Sequence, residues 1–256
     1  MMQLIRPIWE FLILILANLL SQAPAMKMPG FYPYPMPYYT SYCLSWRVGV
    51  EANNVRYFHT VPPQCVTYIE NYMLGGQYNS DVGVVIQQIF AYLDETVPSD
   101  DGKDAWIFDV DDTCLSNVMY YGNKRFGGVP YDPMSFKSWA ERGMCPAIPA
   151  VLGLYRRLLQ SGYKVFLITG RDEVTLRLST TQNLFMQGFL GYEKLIMRNP
   201  LYRGMGAAMF KSSMRKQLVD EGYRIRGNIG DQWSDLMGDC SGDRTFKLPN
   251  PMYFVP

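Results

Sequence analysis

The chain has 256 residues, 48% of them hydrophobic, with 24 basic and 23 acidic side chains and a net charge of +1. That length buries a real core, as one domain with an appendage or as two small ones. No basic run or stripe stands out, so nucleic acid is not an expected partner.

The first 25 residues read as a signal peptide. Arg6 supplies the positive end, Phe11 to Leu20 the apolar stretch, and Ala23-Pro24-Ala25 the small residues of a cleavage site. The apolar run falls short of the roughly 20 residues needed to span a bilayer. An uncleaved anchor or a buried helix is the alternative reading. No later stretch is long enough to be transmembrane, so no stable membrane anchor is expected after cleavage. Export permits disulfides. Of Cys43, Cys65, Cys114, Cys145 and Cys240, the first two flank one compact segment and are the candidate pair. The alternative is five buried free thiols. The odd count leaves at least one unpaired. No paired CxxC indicates zinc, and no Asn-x-Ser/Thr sequon occurs.

Residues 26–42 (MKMPGFYPYPMPYYTSY) are rich in Pro and Tyr and read as an extended linker. Residues 43–104 form a mainly helical N-terminal segment. Within it Cys43 to Gln77 reads as irregular, broken at Pro62-Pro63 and Gly75-Gly76. Asn79 to Val97 reads as a helix capped by Ser80 or Asp81, with Val82, Val85, Ile86, Ile89 and Leu93 on one face.

From residue 105 to 256 the pattern changes. Short apolar runs begin at Ala105, Val165, Lys194, Ile225 and Thr245. Helical stretches precede the second, third and fourth runs, and each closes near a glycine: Gly162, Gly188 and Gly222. This alternation predicts an α/β fold, a parallel sheet with helices on both faces. Ligands of such sheets bind beyond the carboxyl ends of the strands. Asp109, Thr169 and Asp231 fall at those ends, and Lys211 is placed at the opening of the helix after the third run.

Asp109-Val110-Asp111-Asp112-Thr113 puts three carboxylates within four residues, directly after a buried strand. Such a cluster is costly unless a cation or a proton relieves it. Asp231-Gln232-Trp233-Ser234-Asp235 supplies a second acidic group after another strand. Together they suit a hard cation such as Mg²⁺. Read alone, the first group is equally a solvated acidic turn or a helix cap favoured by the dipole. An EF-hand loop fails, because Cys114 and Tyr120 stand where it needs Gly and Glu. With one histidine, His59, a catalytic His pair and a His-rich metal centre are excluded. No GxSxG or P-loop occurs.

IFDVDDT, LITGR, a later lysine and GNIGDQWSDL together resemble the four-part signature of haloacid dehalogenase phosphatases. LSN followed by Tyr120-Tyr121, EGYRIRGNIGDQWSDL and FKLPNPMYF are similar to plant class B acid phosphatases and vegetative storage proteins, from about Cys43 onward. The resemblance implies a Rossmann-like haloacid dehalogenase fold with a small cap insertion around 114–162. That insertion holds a short helix at Ser135 to Arg142, with Tyr120, Tyr121, Tyr131 and Trp139 at the crevice mouth or packed in the core. It further implies Asp109 as nucleophile and Asp111 as general acid and then base. Thr169, Gly170 and Lys211 would hold the phosphoryl group. Mg²⁺ would be held by Asp109, the Asp111 backbone carbonyl, Asp231 and Asp235. Arg171 is either a second phosphate contact or an ion-pair partner, Asp235 either a metal ligand or only an N-cap, and Thr169 either a phosphate contact or only a strand-end residue. Cys114 stands in place of an apolar residue and Met119 in place of Pro; neither removes a catalytic group. The implied protein is a secreted or vacuolar acid phosphatase acting on a small phosphomonoester, with homodimerisation left open. The alternatives are a storage protein of this fold with little turnover, or a phosphate-binding protein without catalysis.

Overall fold

The five apolar runs become five parallel strands in the computed structural model, which describes residues 38–256. They are β1 (Asp104–Phe108), β2 (Lys164–Asp172), β3 (Lys194–Arg198), β4 (Arg224–Gly230) and β5 (Arg244–Lys247), ordered β3-β2-β1-β4-β5. The helices between them are α6 (Pro149–Gln160), α7 (Glu173–Met186), α8 (Ala207–Asp220) and the single-turn α9 (Trp233–Leu236). The period-2 pattern of the strands divides the core. Trp106, Phe108, Val165 and Leu167 join Leu154, Tyr155 and Leu158 of α6 on one face. Ala105, Ile107, Phe166 and Ile168 join Phe210, Met214 and Leu218 of α8 on the other.

The three glycines do what their positions suggest. Gly162, Gly188 and Gly222 have φ of +88°, +87° and +90°. The residues that follow, Tyr163, Phe189 and Tyr223, donate their amides to Leu158, Leu184 and Leu218 at 3.1, 2.9 and 3.0 Å. Each is a Schellman cap, with an apolar pair across it, that turns the chain into the next strand.

The N-terminal part departs from expectation. Residues 38–42 and much of 43–77 are helical rather than extended or irregular: α1 spans Tyr38–Glu51 and α2 Val66–Leu74. Cys43, Trp46 and Val50 lie on one buried helical face that a Pro/Tyr-rich context hides. A Cys43–Cys65 disulfide ties α1 to the turn before α2. Next, α3 runs from Gln77 to Glu95 and buries Val82, Ile86 and Ile89 as expected. Its N-cap is Gly76 (φ +95°), not Ser80 or Asp81. The Asp81 carboxylate instead accepts from Arg47, Tyr72 and Gln77 at 3.1, 2.8 and 2.7 Å.

Between β1 and α6 lie α4 (Val118–Asn123) and α5 (Pro133–Glu141). The latter is capped by Asp132, which accepts from the Met134 and Ser135 amides. The stretch 149–160 within the expected insertion is α6, which packs on the sheet. Among the described residues, no helix is long and apolar enough to cross a membrane. The expected signal peptide and most of the linker lie outside the described residues.

Candidate active site

β1 and β4 are neighbours at the centre of the sheet, and each delivers an aspartate one residue past its carboxyl end. The Asp109 amide still donates to Ile229 of β4 at 3.0 Å, which fixes the start of the acidic turn. Asp231 follows Gly230, and Asp235 comes from the third position of α9. There Asp235 Oδ2 accepts from the Gln232 amide at 2.8 Å, so it does serve the helix cap. Its other oxygen is turned into the site. A Cβ at Gly230 would lie 2.4 Å from Asp235 atoms, so only glycine permits this close approach.

Lys211 sits in the second turn of α8, not at its opening. From there its ammonium reaches inward, pairing with Asp109 Oδ1 and, at 2.5 Å, with Asp235 Oδ1. All three side chains are buried. One carboxylate oxygen from each of Asp109, Asp231 and Asp235 falls within a group no wider than 4.8 Å. Such an all-oxygen, buried set suits a small hard cation.

Asp111 is turned elsewhere. Arg171 donates to it through Nε, at 3.0 and 3.2 Å, and through a terminal nitrogen at 2.7 Å. Arg171 thus makes the ion pair with Asp111, and it also lines the cavity. Arg171 in turn donates to the Thr180 hydroxyl at 3.1 Å. Asp231 is held by Asn250, Gln232 and Tyr253 at 2.7, 2.9 and 3.1 Å. Asp112, at φ +53°, accepts from the Asn117 amide at 2.8 Å and the Tyr253 hydroxyl at 2.9 Å.

Five carboxylates thus share the crevice with two cations in direct contact, Lys211 and Arg171. The proton affinities follow from that imbalance. Burial raises Asp109 well above the usual carboxylate range, against the pull of Lys211. Burial pushes Asp112 and Asp231 up to about 7, with neighbouring carboxylates adding to it. Asp111 is also buried, but the Arg171 guanidinium outweighs this and holds it below the usual range. Lys211 is raised because its two aspartates outweigh burial. The crowding is relieved by protons or by a divalent cation.

A cavity of about 540 Å³ opens onto these groups, lined by Asp109, Asp111, Gly170, Lys211, Asp231 and Asp235. Its outer wall is aromatic and apolar, with Tyr121, Tyr131, Met134 and Phe136 from the segment between β1 and α6 and Tyr253 and Phe254 from the end of the chain. Tyr120 and Trp139 are not part of that wall; they pack with Phe136 and hydrogen-bond to Asn117 respectively. Thr169 is fully buried, is not among the lining residues, and accepts from the Arg171 amide at 3.2 Å. Cys114 is fully buried and its thiol is pushed up by burial, so it is packed and inert.

Residues 30–256 match the family model described as haloacid dehalogenase superfamily, subfamily IIIB (acid phosphatase). The chain belongs to this family of acid phosphatases. Acid phosphatase 1 of Solanum lycopersicum is 44% identical over 213 residues, 83% of each chain. Vegetative storage protein 1 of Arabidopsis thaliana is 39% identical over 216 residues, 84% of this chain and 79% of the relative. Among solved structures, the class C acid phosphatase of Bacillus anthracis with tungstate bound superposes with a TM-score of 0.58 at 21% identity, covering 75% of this chain and 85% of that one. That likeness concerns the fold alone. In this subfamily IIIB acid phosphatase, the acidic turn after β1, the lysine of α8 and the aspartates after β4 meet at one sheet edge. Sequence reasoning counted Asp112 and Gln232 only as members of the two acidic turns and gave no site role to Asn117, Asn250 or Tyr253. Asn117 belongs to LSN, and Asn250 and Tyr253 to FKLPNPMYF, both singled out by resemblance without a function.

Proposed function

We propose that this acid phosphatase hydrolyses small phosphate monoesters through a phosphoryl group carried on Asp109. The observation that carries the reading is the buried Asp109–Lys211–Asp235 cluster at the carboxyl ends of β1 and β4, open to the cavity. A carboxylate of Asp109 attacks phosphorus as the bond to the leaving oxygen breaks. Asp111 gives its proton to that oxygen, then takes one from the water that attacks the aspartyl-phosphate. Phosphate leaves and Asp109 is restored. Lys211, already beside Asp109, balances charge on the phosphoryl oxygens, while Gly170 leaves open space at the wall. The Thr169 hydroxyl is buried on the Arg171 amide, away from the cavity, so a contact from it to a phosphoryl oxygen would need that side chain to turn.

Asp109, Asp231 and Asp235, with the Asp111 backbone carbonyl, would hold Mg²⁺. When bound, the ion screens the nucleophile from the anionic phosphate. The grip of Arg171 keeps Asp111 as the carboxylate that water activation needs. Loading it with the proton for the leaving group is favoured by low pH, which suits an acid phosphatase.

The disulfide supports passage through an oxidising compartment, in line with a signal peptide and a secreted or vacuolar destination. A storage role with little turnover is the second reading, favoured by the likeness to a vegetative storage protein. Phosphate release from an aryl phosphate, with chelator and with Mg²⁺ restored, separates the two. Catalysis predicts activity lost in chelator and regained with Mg²⁺. Phosphate release no faster than in buffer under all conditions would leave the storage reading.

A further inference from the structure

The LSN segment has no part in the reaction above, yet Asn117 is fully buried and every polar atom of its side chain is engaged. Its Nδ2 donates to Asp111 Oδ1 at 2.9 Å and to Asp112 Oδ2 at 3.4 Å. Its Oδ1 accepts from Trp139 Nε1 at 3.0 Å and from the Cys145 thiol at 3.4 Å. This arrangement admits one orientation of the amide. Turned over, the carbonyl would face two carboxylates and the NH₂ would face an indole N–H, which has only a proton to offer. Trp139 therefore decides which end of Asn117 meets Asp111.

Asp111 is held from two sides by different parts of the fold. Arg171 comes from β2 and is braced on Thr180 of α7. Asn117 precedes α4 and is braced on Trp139 of α5. Arg171 alone could satisfy the charge of Asp111, as its bidentate contact does. What Asn117 adds is direction. It holds Oδ1 from the segment before α4, while Arg171 holds the carboxylate from β2, and Asp111 lines the cavity. Moreover, α5 carries Met134 and Phe136, which line that cavity, and it is joined to α4 by the Tyr120–Ser135 hydrogen bond of 2.9 Å.

We propose that Asn117 is the positioning residue that aims Asp111 at the leaving-group oxygen, with Trp139 setting its amide. The cap helix that meets the leaving group is thereby joined, through two hydrogen bonds, to the carboxyl that protonates it. The inference rests on Asp111 being the proton donor. It predicts that damage to Asn117 is felt according to the leaving group. An alkoxide must be protonated as it departs; a nitrophenolate hardly needs it.

The test compares kcat/KM for a simple alkyl phosphate and for p-nitrophenyl phosphate across pH, in full-length wild type, Asn117→Ala, Trp139→Phe and Asp111→Asn. Asn117→Ala should lower the alkyl value by about ten- to hundredfold relative to the aryl value, the size expected for one hydrogen bond to a charged group. Trp139→Phe keeps the ring and loses only the N–H, so it should shift the ratio the same way by less. It also carries the test if Asn117→Ala does not fold. Equal slowing of both substrates by Asn117→Ala or Trp139→Phe, while Asp111→Asn still discriminates, overturns the role of Asn117. If Asp111→Asn itself fails to discriminate, the proton-donor reading falls, and the positioning role falls with it.

Discussion

The hydroxyl of Tyr253 lies 3.1 Å from Asp231 Oδ2, and the same hydroxyl reaches Asp112 at 2.9 Å. A residue from the last segment of the chain thus orients an aspartate of the metal-ready cluster, and its ring stacks on Tyr121 at 4.8 Å. Partners that orient metal ligands typically matter about 10–100-fold in metal affinity. Tyr253→Phe should keep the stack and weaken Mg²⁺ binding by about tenfold, measured by titration calorimetry. Unchanged affinity would mean the hydroxyl serves packing alone.

The excess of carboxylates has a stability signature in the metal-free protein. Removing Lys211 leaves Asp109 and Asp235 buried without their shared cation. Breaking a buried pair in this way costs about 3–5 kcal/mol. Lys211→Met should therefore unfold at lower urea in chelator, and Mg²⁺ should restore part of the loss. Asp109→Asn should do the opposite and raise stability in chelator, because it removes one of the crowded charges. Urea titrations of both variants check this; equal destabilisation by the two would contradict it.

The pH dependence follows in sign. Asp112 and Asp231 bind protons up to about pH 7 when folded, against roughly 4 for a carboxyl in the unfolded chain. Their contribution to stability is full below the unfolded value and is lost as pH rises through about 7. Asp104, beside Arg224 and Arg226, is depressed and acts oppositely, its contribution full above roughly pH 4 and lost as pH falls below that. In chelator the melting temperature should fall between pH 5.5 and 8, and saturating Mg²⁺ should flatten the curve. A melting temperature that climbs over that interval in chelator is the contrary result.

Cys43 and Cys65 are 22 residues apart. A bond closing such a loop stabilises by about 3 kcal/mol in the chain-entropy account. Cys43→Ala should lose roughly that much in urea unfolding and keep phosphatase activity in the folded protein, since neither cysteine lines the cavity. Non-reducing peptide mapping that finds both thiols free would refute the pairing.

The sheet was legible because its signals are local. Three of the five apolar runs end at Asp109, Thr169 or Asp231, and Gly162, Gly188 and Gly222 mark the turns into β2, β3 and β4. Asp109 and Asp231 were legible because parallel strands deliver their carboxyl ends to one edge, and Lys211 because the helix after β3 starts there. Thr169, read as the fourth member, is buried off the cavity, and Asp235 entered only through the family resemblance. The helix α1 was hidden, since Cys43, Trp46 and Val50 form a sparse apolar face beside a Pro-rich run. The choice of partner for Arg171 was also hidden. It depends on where Asp111, Thr180 and Asn117 sit, 60, 9 and 54 residues away, which spacing alone does not convey. Asn250 and Tyr253 carried a signal in FKLPNPMYF, but not its meaning, because the contact with Asp231 forms only when the chain end folds back over the crevice.

Asp109 is proposed to carry the phosphoryl group. The direct measurement is acid quench of the Mg²⁺-loaded protein during turnover, followed by peptide mass spectrometry. The expected result is an acid-stable, hydroxylamine-labile phosphoryl group on Asp109, accumulating further in Asp111→Asn and absent in Asp109→Asn, which should be inactive. Near-native turnover by Asp109→Asn, or a phosphoryl group trapped on another residue, would contradict it.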